Sequence, residues 1–179
     1  MTEPSRIYLS REDIAGLVAR LAGEIDGNYR DRPLALIGVL RGCFVFLADL
    51  ARQLQAPVRR VDFVRVESYG AKMVSTGSPR IVQGIPRESI TGQDVLVVED
   101  IVDTGATTAA VLRYLRRHGP ASLSLCALLD KPSRRQVDVS VDYVGMTIPD
   151  HFVVGYGLDF DQRYRDWPDI WVVEPAHED

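Results

Sequence analysis

Val95-Leu96-Val97-Val98-Glu99-Asp100-Ile101-Val102-Asp103-Thr104-Gly105-Ala106-Thr107-Thr108 is the segment around which the chain can be arranged. It opens with four apolar β-formers, the pattern of a strand buried on both faces. It then turns to acid at Glu99, Asp100 and Asp103, passes Thr104, Gly105, Thr107 and Thr108, and enters an amphipathic run from Ala109 to Leu115. The pattern predicts strand, tight loop, helix. Amide N–H groups at a helix start, beside a glycine and several hydroxyls, suit a phosphate dianion. Carboxylates in the same loop would repel bare phosphate. They make sense if the ligand also carries Mg²⁺, or presents sugar hydroxyls and a proton to remove. An ordinary loop with an acidic N-cap is the alternative. Two adjacent carboxylates, a third three residues on and three threonines exceed what capping needs. A site that wants phosphate, metal and base together implies chemistry on a phosphorylated sugar. Neither a G-x-G-x-x-G after a strand nor a G-x-x-x-x-G-K-[ST] is present, so dinucleotide and Walker-type binding are not signalled.

The run Val-Val-Glu-Asp-Ile-Val-Asp-Thr-Gly-Ala-Thr-Thr resembles the phosphoribosyl pyrophosphate (PRPP) signature of the type I phosphoribosyltransferases, in the Glu-Asp-Ile-x-Asp-[Thr/Ser]-Gly version of the hypoxanthine-guanine branch. The resemblance implies an α/β fold: a central, mostly parallel sheet flanked by helices, a small hood, and a mobile lid loop. It implies one domain over 1–179, with a core of about 30–150 and the hood from about 1–10 and 150–175. Composition is compatible. The 179 residues suffice for one cored domain, and a net charge of −4 argues against a general nucleic-acid binder. Cys43 and Cys126 sit in apolar runs and read as buried thiols in a reducing cytoplasm. The start lacks a signal peptide's apolar core, and no apolar run nears the roughly 20 residues of a membrane helix. Three histidines without H-E-x-x-H or C-x-x-C make a zinc site an unattractive reading.

Taken in order, Ile7 to Leu9 reads as a short strand. Ser10, with Asp13 as a weak capping box, starts a helix whose inner face is Ile14, Leu17, Val18, Leu21 and Ile25, ending at Gly27-Asn28. Leu34 to Leu40 is a second fully apolar strand, followed by Arg41-Gly42 and a helix from about Cys43 to Leu54. A cation and a backbone N–H at a strand's carboxyl end could hold pyrophosphate, although a loop Arg is usually just solvated. The resemblance assigns pyrophosphate to Leu40, Arg41 and Gly42, often through a non-proline cis peptide. Val58 to Val66 alternates as a half-exposed strand. The polar stretch from Ala71 to Pro79 follows, and Ser68-Tyr69 matches the family's lid, which closes over the reaction centre to keep water from the sugar cation. Arg80 to Gln83 returns as the partner strand.

Beyond the central segment, a helix to Arg117 is stopped by His118-Gly119-Pro120, and Ser122 to Leu129 is another buried strand. Lys131 lies at its carboxyl end, the edge where open α/β sheets bind ligands. A lone Lys there is commonly a surface charge; the resemblance gives it the purine 6-oxo group, which adenine lacks. Val139 to Val144 reads as a short strand. Pro149-Asp150-His151-Phe152-Val153-Val154-Gly155-Tyr156-Gly157-Leu158-Asp159 is similar to the family's base-binding segment. On residue type alone, Phe152 and Val153 fit a core strand equally well. By the resemblance Phe152 stacks on the purine, Val153 reads its edge through the main chain, Asp159 helps hold a second Mg²⁺, and Arg165 binds pyrophosphate. His151 is treated as a bystander, and Ile170 to Val173 as a last strand. Departures are small: Arg41 for the Lys of some relatives, Ala106 at a variable position, a conservative Gly157-Leu158.

The implied reaction moves 5-phosphoribosyl from PRPP to N9 of hypoxanthine or guanine, giving IMP or GMP and pyrophosphate. Glu99 and Asp100 would grip ribose hydroxyls, partly through Mg²⁺; Asp103, Thr104, Gly105, Ala106, Thr107 and Thr108 would cradle the 5′-phosphate; Asp103 would be the general base. The family suggests a homodimer or homotetramer. Two other readings exist. An RNA-binding pyrimidine-operon attenuator has a similar loop, but the acidic balance and the absence of a basic stripe oppose it. A non-catalytic nucleotide-binding module is disfavoured because lid and base residues are both present.

Overall fold

The backbone obeys the alternation of its longest apolar strands. A computed structural model describes residues 3–67 and 79–174; Ser68, Tyr69 and most of the expected lid lie outside them. Among the described residues, nine strands and three α-helices run in the order β1 (Pro4–Leu9), α1 (Arg11–Tyr29), β2 (Leu34–Leu40), α2 (Phe44–Gln53), β3 (Val58–Glu67), β4 (Arg80–Gln83), β5 (Asp94–Val102), α3 (Ala106–Arg116), β6 (Ser122–Asp130), β7 (Tyr143–Thr147), β8 (Phe152–Val154) and β9 (Ile170–Val173). Six strands form one sheet in the order β4-β3-β2-β5-β6-β7, parallel except for β4. Strands β1, β9 and β8 form a second, antiparallel sheet, so the two ends of the described chain meet there.

Successive residues of β2 and β5 feed two cores. Leu34, Leu36, Leu96 and Val98 join the side covered by α1 and α2, with Phe46 and Leu50. Ala35, Ile37, Val95 and Val97 join the side covered by α3, with Val111 and Leu115. A period of two on a sheet covered on both faces makes every position apolar, which is why these strands read as continuous runs. The connections β2–α2–β3 and β5–α3–β6 leave the sheet's centre in opposite directions. The chain therefore reverses between β2 and β5, and the crevice beyond their carboxyl ends is where such sheets bind ligands.

Several boundaries differ from the sequence reading, each for a visible reason. The loop expected at Glu99 begins later, because β5 keeps pairing with β6 through Ile101↔Leu129 and Val102↔Asp130. Glu99 and Asp100 thus lie on the strand, and α3 starts at Ala106. The strand expected over 139–144 is displaced to Tyr143–Thr147. Asp142 exchanges bonds with Leu125, its carboxylate accepting from Leu125 N at 2.8 Å, and pairing with β6 starts only at Cys126↔Tyr143. Helix α1 passes Gly27-Asn28 because the ring of Tyr29 is buried and its hydroxyl bonds Ser124 Oγ at 3.0 Å. The capping box is complete: Asp13 N donates to Ser10 Oγ at 3.1 Å and Ser10 N donates to Asp13 Oδ2 at 3.0 Å. No helix among the described residues is long and apolar enough to cross a membrane.

At the amino end of β5, Asp94 ties three strands' connections together. It accepts from Arg32 Nε at 2.9 Å and Nη2, and from Ser122 Oγ. Burial works to raise its pKa, but these bonds outweigh it and hold the carboxyl below its usual 3.8. A carboxyl depressed in the folded state stabilises above its unfolded pKa, and that contribution vanishes as pH falls through the folded value. Arg32 is half exposed, so the contribution is screened. Asp94→Asn is therefore expected to cost about 1 kcal/mol at pH 7, with the deficit shrinking to nothing as pH drops below 3.8. Urea unfolding of both proteins across that range measures it; a deficit that persists in acid would exclude the carboxylate as its origin.

Candidate active site

Strand alternation sends Glu99 and Asp100 to opposite faces of the sheet. Glu99 faces α3, is 4 % exposed, and accepts from Thr108 Oγ1 at 3.2 Å. Burial, with the charge of Asp100, pushes its carboxyl well above the usual range. The Thr108 hydroxyl is thus spent on Glu99, leaving that residue's amide for a ligand. Asp100 faces the β2–α2 turn. Burial lifts its pKa to about 6, against the backbone N–H groups of Asp100 and Ile101 and the guanidinium of Arg165.

The loop from Asp103 to Gly105 is held by its carbonyls. Val102 O accepts from Lys131 N at 2.9 Å, Asp103 O from Arg135 Nη1 at 2.9 Å, and Thr104 O from Gln136 N at 2.9 Å and Val137 N at 3.0 Å. Arg135 is fixed in turn by an ion pair with Asp130, both largely buried. Gly105 has φ +83°, and a Cβ there would lie 2.5 Å from Val137 O, so the loop's tight seat on the segment after β6 requires glycine. Helix α3 begins at once; Gly105 has no side chain to cap it, and the Ala106 N–H donates to Thr104 Oγ1 at 3.4 Å. Carbonyls point toward 131–137 while first-turn amides open α3: an anion-receptive geometry.

The turn after β2 packs directly on Asp100 of β5. The Leu40–Arg41 peptide is cis. A Cβ on Gly42 would meet Asp100 Oδ2 at 1.6 Å, and one on Gly157, at φ +98°, would meet Gly42 O at 2.1 Å. Gly42 is thus pressed between the acid of β5 and the loop after β8. Arg165 reaches in from beyond that loop, donating from Nη1 to Gly157 O at 2.7 Å and pairing with Asp159 Oδ1 at 2.7 Å. Gln162 Oε1 accepts from Arg41 Nη1 at 3.1 Å and Arg165 Nη2 at 3.4 Å. Arg41, Gly42, Asp100, Asp159 and Arg165 all line a cleft of about 300 Å³.

A second cavity of about 520 Å³ adjoins it, and Asp103, Lys131 and Phe152 border both. Lys131 is buried at 5 % exposure, with Nζ 3.9 Å from Asp150 Oδ1. Phe152 is 49 % exposed and stands edge-on to Phe160, ring centres 5.6 Å apart. An aromatic left half bare on a cavity wall offers a face for a flat ligand, whereas a core strand would bury it. Val153 turns its side chain inward and joins the core. Of the described residues singled out from sequence, Arg41, Gly42, Asp100, Asp103, Lys131, Phe152, Val153, Asp159 and Arg165 border the two cavities; Leu40, Thr104, Gly105, Ala106 and Thr107 line neither, and Glu99 and Thr108 are buried.

Four participants were not picked out from sequence: Arg134 and Asp150 on the larger cavity, Phe160 beside Phe152, and Gln162 between two guanidiniums. Phe160 and Gln162 lie one and three residues after the signalled Asp159, and only their aromatic and amide types hinted at a role. His151 also lines the cavity, edge-on to Tyr8 at 5.6 Å.

Among the described residues no three His, Cys, Asp or Glu side chains converge as a metal cage. The donors do suit Mg²⁺ in its usual mode, in which one or two carboxylates and the substrate's phosphate oxygens share the ion. Asp100 and Asp159 border one cleft, and the Asp159 charge helps to raise Asp100. A divalent cation there would relieve that repulsion.

Residues 6–161 match the phosphoribosyl transferase domain. The hypoxanthine phosphoribosyltransferase of Salmonella typhimurium is 45% identical over 175 residues, covering 97% of each chain. The hypoxanthine-guanine phosphoribosyltransferase of Mycobacterium avium is 45% identical over 94% of this chain and 85% of its own. The solved structure of a hypoxanthine-guanine phosphoribosyltransferase from Bacillus anthracis superposes with a TM-score of 0.89 at 40% identity, covering 96% of this chain and 100% of that one. With a domain match across most of its length and relatives this similar, the chain belongs to the phosphoribosyltransferase family.

Proposed function

We propose that the protein salvages purines, transferring 5-phosphoribosyl from PRPP to N9 of hypoxanthine or guanine and releasing pyrophosphate. The observation that carries this is the shared border of the two cavities: Asp103 lines both the cleft that holds Asp100, Asp159, Arg41 and Arg165 and the larger cavity walled by Phe152 and Lys131. In this reading the amides of Thr104 to Thr108, including Gly105, Ala106 and Thr107, receive the 5′-phosphate. Asp100, with Glu99 behind it, serves the ribose hydroxyls. Leu40, Arg41, Gly42 and Arg165 take pyrophosphate, the two guanidiniums leaving Gln162 for a stronger anionic acceptor. Phe152 stacks on the purine, Lys131 donates to its 6-oxo oxygen, and the Val153 main chain meets its edge. Ser68-Tyr69 supplies the lid.

Breaking the bond from C1 to pyrophosphate leaves positive charge on the sugar ring, so catalysis rests on neutralising the leaving group and placing the base. As N9 forms its bond to C1, the purine loses its N7 proton, and Asp103 receives it. Asp100 and Asp159, with Glu99 close by, would hold Mg²⁺, which when bound offsets the charge of the departing diphosphate. Two buried free thiols fit a reducing cytoplasm. We infer a homodimer or homotetramer. A solved relative from Trypanosoma cruzi, 41% identical with a TM-score of 0.87, was studied for the effect of its C-terminal region on oligomeric state and activity.

A PRPP-dependent assay with hypoxanthine, guanine, xanthine, adenine and uracil tests the reading: 6-oxopurines turn over, while adenine and uracil do not. Turnover of uracil alone would overturn it. Asp103→Asn should fold normally and lose about 10²–10⁴-fold in kcat, the range of a general base; near-normal turnover would remove Asp103 from that role. Gly42→Ala should cost about 100-fold in kcat/KM for PRPP, the scale of a roughly 1 Å misplacement at a reacting centre. Gly16→Ala, where a Cβ meets nothing within 4 Å, is the matched control and should change neither parameter.

A further inference from the structure

Among the described residues, Arg134 is the one Lys or Arg lining the larger cavity that has no part in the proposed binding of purine, phosphate or pyrophosphate. It ends the short 3₁₀ turn Pro132–Arg134, whose main chain is closed by Arg134 N donating to Lys131 O at 3.1 Å. Lys131 N is itself bonded to Val102 O, so the turn is fixed on the loop that carries Asp103. From that seat the guanidinium spans two carboxylates. Nε donates to Asp103 Oδ1 at 3.3 Å, and Nη1 to Asp150 Oδ2 at 3.3 Å. The other oxygen of Asp150 faces Lys131 Nζ at 3.9 Å. Charges therefore alternate along one wall, from Lys131 through Asp150 and Arg134 to Asp103.

These three outer side chains are about half exposed, at 47 %, 38 % and 53 % for Arg134, Asp103 and Asp150. Ion pairs at such exposure add little to folding stability. Their effect is on orientation. A planar guanidinium that engages one carboxylate oxygen restricts rotation about the Asp103 side chain and leaves the second oxygen open. Arg134 does not border the smaller cleft, which separates it from the residues assigned to pyrophosphate.

We propose that Arg134 is a positioning residue for proton transfer: braced by Asp150, it holds Oδ1 of Asp103 and so presents Oδ2 to the purine proton. The inference rests on Asp103 being the base. It predicts that loss of Arg134 lowers kcat without weakening either substrate, because a misdirected carboxylate still lets purine and PRPP bind.

Arg134→Gln should lower kcat about 10-fold, keep KM for hypoxanthine and PRPP within about twofold, and leave the Tm unchanged, with Arg134→Lys recovering part of the rate. In an Asp103→Asn background the same substitution should have no further effect, since it acts through that carboxylate. An unchanged kcat, a loss confined to the KM for hypoxanthine, or an equal loss in the Asp103→Asn background would each overturn the inference. Normal turnover by Asp103→Asn alone would instead bring down the base assignment and this inference with it.

Discussion

Three consecutive carbonyls, those of Val102, Asp103 and Thr104, are all committed to the segment that follows β6. That commitment is the constraint on which the site depends. A loop whose carbonyls are satisfied on one side presents its amides on the other, and those amides open α3, the Ala106 N–H reaching Thr104 Oγ1 at 3.4 Å. It also locks the segment carrying Lys131 to the loop carrying Asp103. Two adjacent parallel strands, β5 and β6, thus hold the Asp103 loop and Lys131 in fixed register. Gly105 is the hinge of the arrangement, because only a residue without Cβ tolerates both its φ and the approach of Val137 O.

The same economy of space governs the other side of the cleft. Asp100, Gly42 and Gly157 are stacked so closely that no Cβ fits at either glycine. The loop after β8 therefore rests on the turn after β2, and Arg165 and Arg41 meet at Gln162. The second sheet, built from both ends of the described chain, becomes a wall of the active cleft through Phe152, Val172 and Val173.

Much of this was legible in the residues. Buried strands β2, β5 and β6 announce themselves because a sheet covered on both faces demands unbroken apolar runs. The cap of α1 and the strand-loop-helix order at the acidic corner were equally readable, whereas the segment from Pro149 to Asp159 stood out only by resemblance, since by residue type Phe152 and Val153 fit a core strand equally well. What escaped was what depends on pairing or on distance. Nothing in Glu99-Asp100 itself says that β6 keeps β5 extended past them and so splits the two acids between faces. Val139 to Val141 alternates like a strand, yet Asp142 takes the Leu125 amide and shifts β7 onward. Arg134, Asp150 and Gln162 are polar residues in loops, and only the fold reveals that each touches a signalled group.

The central claim is that one corner holds the phosphate while the adjoining pocket holds an oxopurine. A crystal structure of the unmodified protein with IMP and Mg²⁺ measures this directly. The account predicts phosphate oxygens within hydrogen-bond distance of the amides from Thr104 to Thr108, the purine face against Phe152, and its oxygen on Lys131. A nucleotide seated elsewhere, with that corner unfilled at saturating ligand, would contradict it.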